Sequence, residues 1–185
     1  MTGATGGIGT ALTDELLHRG RHVLALGRDL DRLNDLAHGR PGLTPVHADL
    51  EQPSKPAMAV ESLPGPDTEL KALIHCAGLS PVAPVADCPT DLWQRVMAVN
   101  LLSAAELIRL CLPCAGRSTN TGVRVSSVHP GGTATETLRR VRTDFGRPYD
   151  PDSCIRPATL ARAIVDVLDL PRDAQITELH LSPGP

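Results

Sequence analysis

The feature that most constrains this chain is a glycine-rich loop at residues 2–9, TGATGGIG, followed directly by a helix-like segment. Gly3, Gly7 and Gly9 permit backbone angles that other residues avoid, and they let the main chain approach a pyrophosphate closely. Apolar residues recur at helical spacing over residues 8–18, so the loop would lie at a helix N-terminus, whose free N–H groups attract phosphates. The loop therefore predicts a dinucleotide-binding turn.

Strand-like and helix-like segments alternate along the rest of the chain. Alternation of this kind indicates parallel βαβ units and an α/β, doubly wound sheet, here in a single domain of residues 1–185. The predicted strands are residues 22–26, 44–48, 71–76, 123–128 and 176–181. The predicted helices are residues 8–18, 29–37, 91–112 and 160–168, with one irregular helix in the Pro-rich stretch 52–67.

Composition excludes several classes of partner. The net charge is −3 and no basic stripe runs along the chain, so nucleic acid is not expected as a partner. No apolar run approaches the roughly 20 residues of a membrane span, so no membrane partner is expected either. Met1 leads directly into the loop without the charged and apolar regions of a signal peptide, which favours a cytoplasmic location.

The five cysteines, an odd number, favour free thiols. Cys111 and Cys114 have the CxxC spacing of a redox pair or of half a metal site, but no second pair or histidine at zinc-like spacing accompanies them. We interpret them as small core residues. The sequence therefore predicts no metal site.

The spacing TGxxxGxG resembles the glycine loop of the short-chain dehydrogenase/reductase family, and further motifs of that family follow in order along nearly the whole chain. The resemblance implies an NAD(P)-binding Rossmann domain. It assigns cofactor contacts to the loop, to an aspartate after a strand, to an Ala-Gly turn, and to a Pro-Gly turn followed by a threonine at the nicotinamide. The residues implied are Thr2, Gly3, Gly7, Ile8, Gly9, Asp49, Ala77, Gly78, Pro130, Gly131 and Thr135.

The end of the strand predicted at residues 22–26 is where the resembled family chooses between cofactors. An acidic residue there would bind the ribose 2′-hydroxyl and repel a 2′-phosphate, whereas this chain has Gly27 and Arg28, and a guanidinium pairs well with phosphate. NADP(H) is therefore favoured, and the neighbouring Asp29 leaves NAD(H) as the alternative.

The family's chemistry, hydride transfer between nicotinamide and a carbonyl or alcohol carbon, is only partly supported by this sequence. Asn100 matches the family's active-site asparagine, which orders water in a proton relay. The family also uses a serine and a tyrosine with a lysine four residues later, which lowers the pKa of the phenol from near 10. Tyr149 is the only tyrosine, and Ser153 lies four residues after it, so YxxxK is missing.

The missing catalytic segment can be located. Residues 111–113 resemble the end of the family's fourth helix and residues 123–131 its sixth strand, so that only residues 114–122 remain for the fifth strand and helix. An alternative takes residues 125–127 as the fifth strand with its serine, although no tyrosine follows at a useful distance. Because only Met1 precedes the loop, we expect a Rossmann-like sheet that lacks most of its first strand. The short interval at residues 114–122 implies that the fifth strand/helix unit is also missing. These two losses together predict low thermal stability.

Two functions remain open from the sequence. The first is an oxidoreductase of the short-chain type that performs NADP(H)-dependent hydride transfer on a small-molecule carbonyl or alcohol, with impaired activity because the serine and YxxxK are missing. The second is a non-catalytic NADP(H)-binding sensor or interaction module. The resemblance also allows a homodimer.

Overall fold

A computed structural model describes residues 1–52, 70–112 and 122–184 of the chain. The irregular helix predicted in residues 52–67, the second cysteine of the CxxC pair, Cys114, and most of the interval 114–122 lie outside these ranges. The glycine loop continues directly into helix α1, Gly7–His18, which confirms the predicted helix. Leu12 and Leu16, one turn apart, are buried on the same face of α1.

One two-stranded sheet consists of parallel strands joined by a helix, and it is separate from the second pair of strands described below. Strand β1, Val23–Gly27, pairs with β2, Leu43–His47, with Val23 opposite Leu43. Between them lies α2, Leu30–Ala37, and the side chain of Asp29 caps this helix by accepting a hydrogen bond from the backbone N–H of Arg32. Both strands lie within one residue of their predicted positions.

Met1 and Thr2 take the place of the central first strand. Thr2 bridges Leu26 on one side and His75 on the other, both in the parallel sense. Its backbone N–H donates to the carbonyl of Ile74 at 3.0 Å, and the N–H of Leu26 donates to the carbonyl of Met1 at 2.8 Å. The prediction of a regular strand at residues 71–76 is wrong. Within the described residues, Met1 and Thr2 form a strand-type bridge with this segment at His75 alone.

A second parallel pair lies further along the chain. Strand β3, Ser127–Pro130, pairs with β4, Glu178–Leu181. The strand predicted at residues 123–128 is wrong in position, since β3 starts four residues later. In the residues just before β3, side chains rather than backbone groups form the hydrogen bonds to the neighbouring segment. The Arg124 guanidinium donates to four backbone carbonyls, and the Ser126 hydroxyl donates to the carbonyl of Ile176 at 2.6 Å.

The long helix predicted at residues 91–112 is present but interrupted. It consists of α3, Thr90–Met97, a π-helical turn, Ala98–Leu102, and α4, Ser103–Cys111. A short 3₁₀ turn, Val85–Asp87, precedes it. Single π turns inside α-helices frequently occur at functional sites, and this one contains Asn100.

Two further helices follow β3. Helix α5, Glu136–Asp144, was not predicted, because its face is polar and none of its residues is buried. Helix α6, Pro157–Leu168, begins three residues before its predicted start, with proline in the first turn, where no N–H is needed. Leu160, Ala161 and Val165 of α6 are fully buried.

Alternate residues of β1 face two different cores, which is what a doubly wound sheet requires. Val23 and Ala25 pack with apolar residues of α1, α2 and α6 in one cluster, whereas Leu26 packs with Val46 and with Leu107 of α4 in the other. Helices therefore cover both faces of the sheet, and the predicted α/β fold is confirmed. None of the helices within the described ranges has the length and apolar character to cross a membrane.

Candidate functional site

The glycine loop closes tightly because there is no space for a side chain at two of its glycines, Gly3 and Gly9. Gly3 has φ +68°, and a Cβ at this position would lie 2.7 Å from the backbone nitrogen of Ala77. A Cβ at Gly9 would overlap the carbonyl oxygen of Gly3. Any side chain at either position would push the loop away from α1 or from the neighbouring turn, so the geometry explains both glycines.

Thr2 joins the glycine loop to the Ala-Gly turn. Its hydroxyl oxygen accepts hydrogen bonds from the backbone N–H groups of Cys76 and Ala77, both at 3.2 Å, and lies 3.1 Å from Nδ1 of His75. Thr2 is fully buried. Ala77 is thereby held beside the glycine loop, and Gly78 follows it directly in the chain.

His75 is a half-buried histidine beside Thr2. Burial lowers its pKa from the usual 6.5, so the imidazole is neutral at pH 7. Its Nε2 is buried and has no hydrogen-bond partner among the residues that the structure describes. His75 therefore packs beside Thr2 with a neutral imidazole.

The segment after β3 returns to the glycine loop. The side chain of Thr135 packs on Gly7, where a Cβ would lie 2.9 Å from the threonine methyl carbon. The Thr135 hydroxyl accepts from the backbone N–H of Leu138 and so caps α5. Pro130 ends β3, and the N–H of Gly131 donates to the carbonyl of Leu181 at 2.7 Å. The structure thus brings Thr135 to the loop, while Pro130 and Gly131 are fixed by β4.

Arg28 takes part in a three-residue charge cluster at the end of β1. Its guanidinium lies 3.0 Å from a carboxylate oxygen of Glu51, and the Arg95 guanidinium of α3 binds the same carboxylate at 2.9 Å. Hydrogen bonding to Glu51 raises the pKa of Arg95 further above its usual value. One carboxylate holds two guanidinium groups together, so the cluster has a net charge of +1.

Asp49 and Asn100 are both engaged with backbone groups. The Asp49 carboxylate accepts from the N–H of Glu51 at 3.1 Å and from the side-chain amide of Gln52 at 3.0 Å. The Asn100 side chain accepts from the N–H of Leu79 at 2.7 Å and donates to its carbonyl at 2.9 Å. Asn100 therefore ties the π turn to the segment that follows Gly78.

Within residues 1–52, 70–112 and 122–184, no other tyrosine or lysine pair takes the place of the missing tyrosine and lysine. Tyr149 is half-buried in a segment without regular structure between α5 and α6, away from any helix, as its flanking prolines predict. Ile8, the remaining predicted loop residue, is half-buried in the first turn of α1. Sequence reasoning missed Glu51 and Arg95, which only the fold brings beside Arg28.

Several proteins of known family are similar to this chain. An uncharacterized short-chain type dehydrogenase/reductase of Sinorhizobium fredii is 26% identical, and the alignment covers 99% of this chain and 90% of that relative. The 228 aligned positions exceed the 185 residues of this chain by 43, so the relative has internal residues without a counterpart here. D-beta-hydroxybutyrate dehydrogenase of Rhizobium meliloti is 31% identical over 61% of this chain and 46% of its own length, so the match spans less than half of that relative.

Solved structures with less than 25% identity support the fold. The alcohol dehydrogenase of Thermococcus sibiricus, in complex with 5-hydroxy-NADP, has a TM-score of 0.84 at 19% identity, with 99% of this chain and 94% of that chain covered. A short-chain dehydrogenase/reductase of Brucella melitensis has a TM-score of 0.85 at 17% identity, with the same coverage. The family model described as short chain dehydrogenase matches residues 1–120, and this chain therefore belongs to the short-chain dehydrogenase family of oxidoreductases.

Proposed function

We propose that this protein binds a nicotinamide dinucleotide at residues 2–9. The observation that carries the proposal is the closed glycine loop at the N-terminus of α1, in which neither Gly3 nor Gly9 has space for a Cβ. The loop leaves the first N–H groups of α1 without helical partners, and the N-terminus has no side-chain cap. Such a helix end suits the pyrophosphate of a dinucleotide, so the residues present fit the cofactor.

We propose NADP(H) rather than NAD(H) as the preferred form. Gly27 offers no carboxylate to a ribose 2′-hydroxyl, and the carboxylate of Asp29 is already used to cap α2. The side chain of Arg28 is 64% exposed, and it shares Glu51 with Arg95. The exposed Arg28 guanidinium is therefore the group that would form a charge-assisted hydrogen bond with a 2′-phosphate, while Arg95 lies among the carboxylates of Glu51, Asp91 and Asp49.

By family, the chemistry is hydride transfer between the nicotinamide and a small-molecule carbonyl or alcohol carbon. The bound nicotinamide would supply the hydride acceptor or donor. Thr135, packed on Gly7, would limit where the nicotinamide end can lie. We propose that turnover is impaired, because no tyrosine with a lysine four residues later exists in the chain to exchange the proton with the substrate oxygen.

A matched pair of glycine variants tests the binding site. Gly3 and Gly39 have nearly the same positive φ, +68° and +69°, but a Cβ at Gly39 would meet nothing within 4 Å. Both Gly3→Ala and Gly39→Ala should therefore cost about 1–2 kcal/mol of backbone strain. Only Gly3→Ala should also weaken NADPH binding, by at least about tenfold, measured by the fluorescence of NADPH on titration.

The same titration, followed by a screen of carbonyl substrates, distinguishes the functions. NADPH binding with slow turnover supports the proposed oxidoreductase. Binding without any turnover favours a non-catalytic nucleotide-binding module, which the missing YxxxK also suggests. If the folded chain binds neither NADPH nor NADH, or if both glycine variants bind NADPH equally well, the proposed site is wrong.

A further inference from the structure

We propose that His129, Glu178 and His180 form a binding site for a divalent transition-metal ion of the borderline class, with Zn²⁺ as the best fit. The three side chains come from the paired strands β3 and β4, outside the proposed dinucleotide site. Each offers one ligand atom, and these atoms all lie within 4.8 Å of one another.

The parallel register brings the three side chains to one face. His129 of β3 is directly opposite His180 of β4, and Glu178 lies two residues before His180. Because side chains two residues apart on a strand point to the same face, Glu178 and His180 share the face that His129 meets from the neighbouring strand. Val128 and Leu179, which alternate with them, are half-buried, whereas the three polar side chains are exposed.

The contacts between the three side chains are already close. The two imidazole rings are stacked, with centroids 4.5 Å apart and an angle of 11° between their planes. Nε2 of His180 lies 3.5 Å from a carboxylate oxygen of Glu178. Two imidazoles and a carboxylate are thus neighbours on one face of the paired strands.

Metal coordination requires the ligand atoms to move closer and at least one of the stacked imidazole rings to rotate, so that a nitrogen lone pair of each ring is directed at the same ion. Zn²⁺ binds histidine nitrogen and carboxylate oxygen at about 2.0–2.2 Å, so two of its ligand atoms are at most about 4.4 Å apart. The side chains of His180 and Glu178 are 68% and 67% exposed and can rotate without leaving a packed core. The ligand atoms, which lie within 4.8 Å of one another, would therefore have to close by at most about 0.4 Å for the most open bound geometry and by about 1.4 Å for a regular tetrahedron.

The ligand set selects the class of metal. Imidazole nitrogen suits Zn²⁺, Ni²⁺ and Cu²⁺, whereas Mg²⁺ and Ca²⁺ prefer sites made of oxygen ligands. With neutral imidazoles the three ligands carry a single negative charge, which attracts a cation. Three protein ligands leave a fourth position for water or another small ligand.

The sequence predicts no metal site because no set of ligands lies at the short spacing of zinc sites. His129 and His180 are far apart in the sequence and become neighbours only through the pairing of β3 with β4. A bound ion would link the two strands and would stabilise this part of the sheet.

The test uses the tag-free, metal-depleted full chain, titrated with ZnCl₂ by calorimetry and with CoCl₂ by visible absorption. We expect one ion per chain and a Tm increase of about 5–10 °C at a hundredfold excess of Zn²⁺ over its Kd. His129→Gln and His180→Gln should each weaken Zn²⁺ binding by at least about tenfold, the lower end of the loss caused by removing even an outer-sphere partner.

His38→Gln is the matched control, because His38 is exposed at the end of α2, on a different part of the chain. It should bind Zn²⁺ like the parent chain, and MgCl₂ should produce no saturable signal. The proposal is overturned if Zn²⁺ does not saturate, if all three histidine variants behave alike, or if sedimentation shows that one ion bridges two chains.

Discussion

The α-amino group of Met1 should make the stability of this chain strongly dependent on pH. Met1 is 8% exposed, and its ammonium group donates a hydrogen bond to the carbonyl of Leu24 at 2.6 Å, in the middle of the sheet. Burial lowers the pKa of this amine from 8.0 to about 6. A charged amine at this position is disfavoured because the surrounding protein solvates it less well than water does.

The sign and size of the effect follow from proton linkage. Between pH 6 and pH 8 the unfolded chain holds a proton on the amine that the folded chain has released, so the free energy of unfolding increases with pH. A difference of two pKa units corresponds to about 3 kcal/mol, a large part of the roughly 5–15 kcal/mol typical of a domain. The lowered pKa of His75 adds a contribution of the same sign below pH 6.5.

The assay is urea denaturation from pH 5.5 to pH 8.5 on the free chain and on the chain acetylated at its α-amino group. The acetylated chain has no titrating amine but retains all seven histidines, so the difference between the two pH profiles isolates the amine. We expect the free chain to gain about 2 kcal/mol more than the acetylated chain between pH 6 and pH 8, because part of the full difference falls below pH 6 and above pH 8. Parallel profiles would refute the reasoning.

Three further variants test the site and the core. Glu51→Gln removes the carboxylate that Arg28 and Arg95 share. It should tighten NADPH binding up to about fivefold, since exposed ion pairs contribute about 0.2–1 kcal/mol. Unchanged or weaker binding in the titration would contradict the role of this cluster. Arg28→Ala should reduce the preference for NADPH over NADH, measured as the ratio of the two Kd values, and an unchanged ratio would exclude Arg28 from cofactor choice. Leu12→Ala, at a fully buried position, should cost about 2–5 kcal/mol in urea denaturation, whereas Leu30→Ala, at a position 45% exposed, should cost less than about 1 kcal/mol; equal losses would contradict the packing of α1.

Local patterns in the sequence were sufficient where local forces decide the structure. The glycine loop, α1, β1 and β2 follow from glycine positions and from apolar periodicity, and the structure places them within about one residue of the prediction. The family resemblance supplied the functional meaning of the loop and identified residues that lie beside it, such as Thr135 and Ala77.

The failures occur where distant partners decide the structure. Residues 71–76 have the composition of a buried strand, but the short segment Met1–Thr2 provides a strand-type bridge only at His75. β3 forms where β4 is available to pair, not where its most apolar residues lie. Helix α5 has no buried face for periodicity to reveal, and the role of Glu51 depends on an arginine 44 positions away in the chain.

The bridges made by Thr2 also bear on how quickly the chain folds. The β1–α2–β2 unit can form from contacts within about 25 residues, but the contacts of Thr2 with Cys76 and Ala77 close loops of 74 and 75 residues. The entropy of closing such a loop must be lost before the central position of the sheet is occupied. We therefore expect two kinetic phases in refolding. The helical signal of the β1–α2–β2 unit should recover in the first phase, and Thr2 should become buried against residues 74–77 in the second.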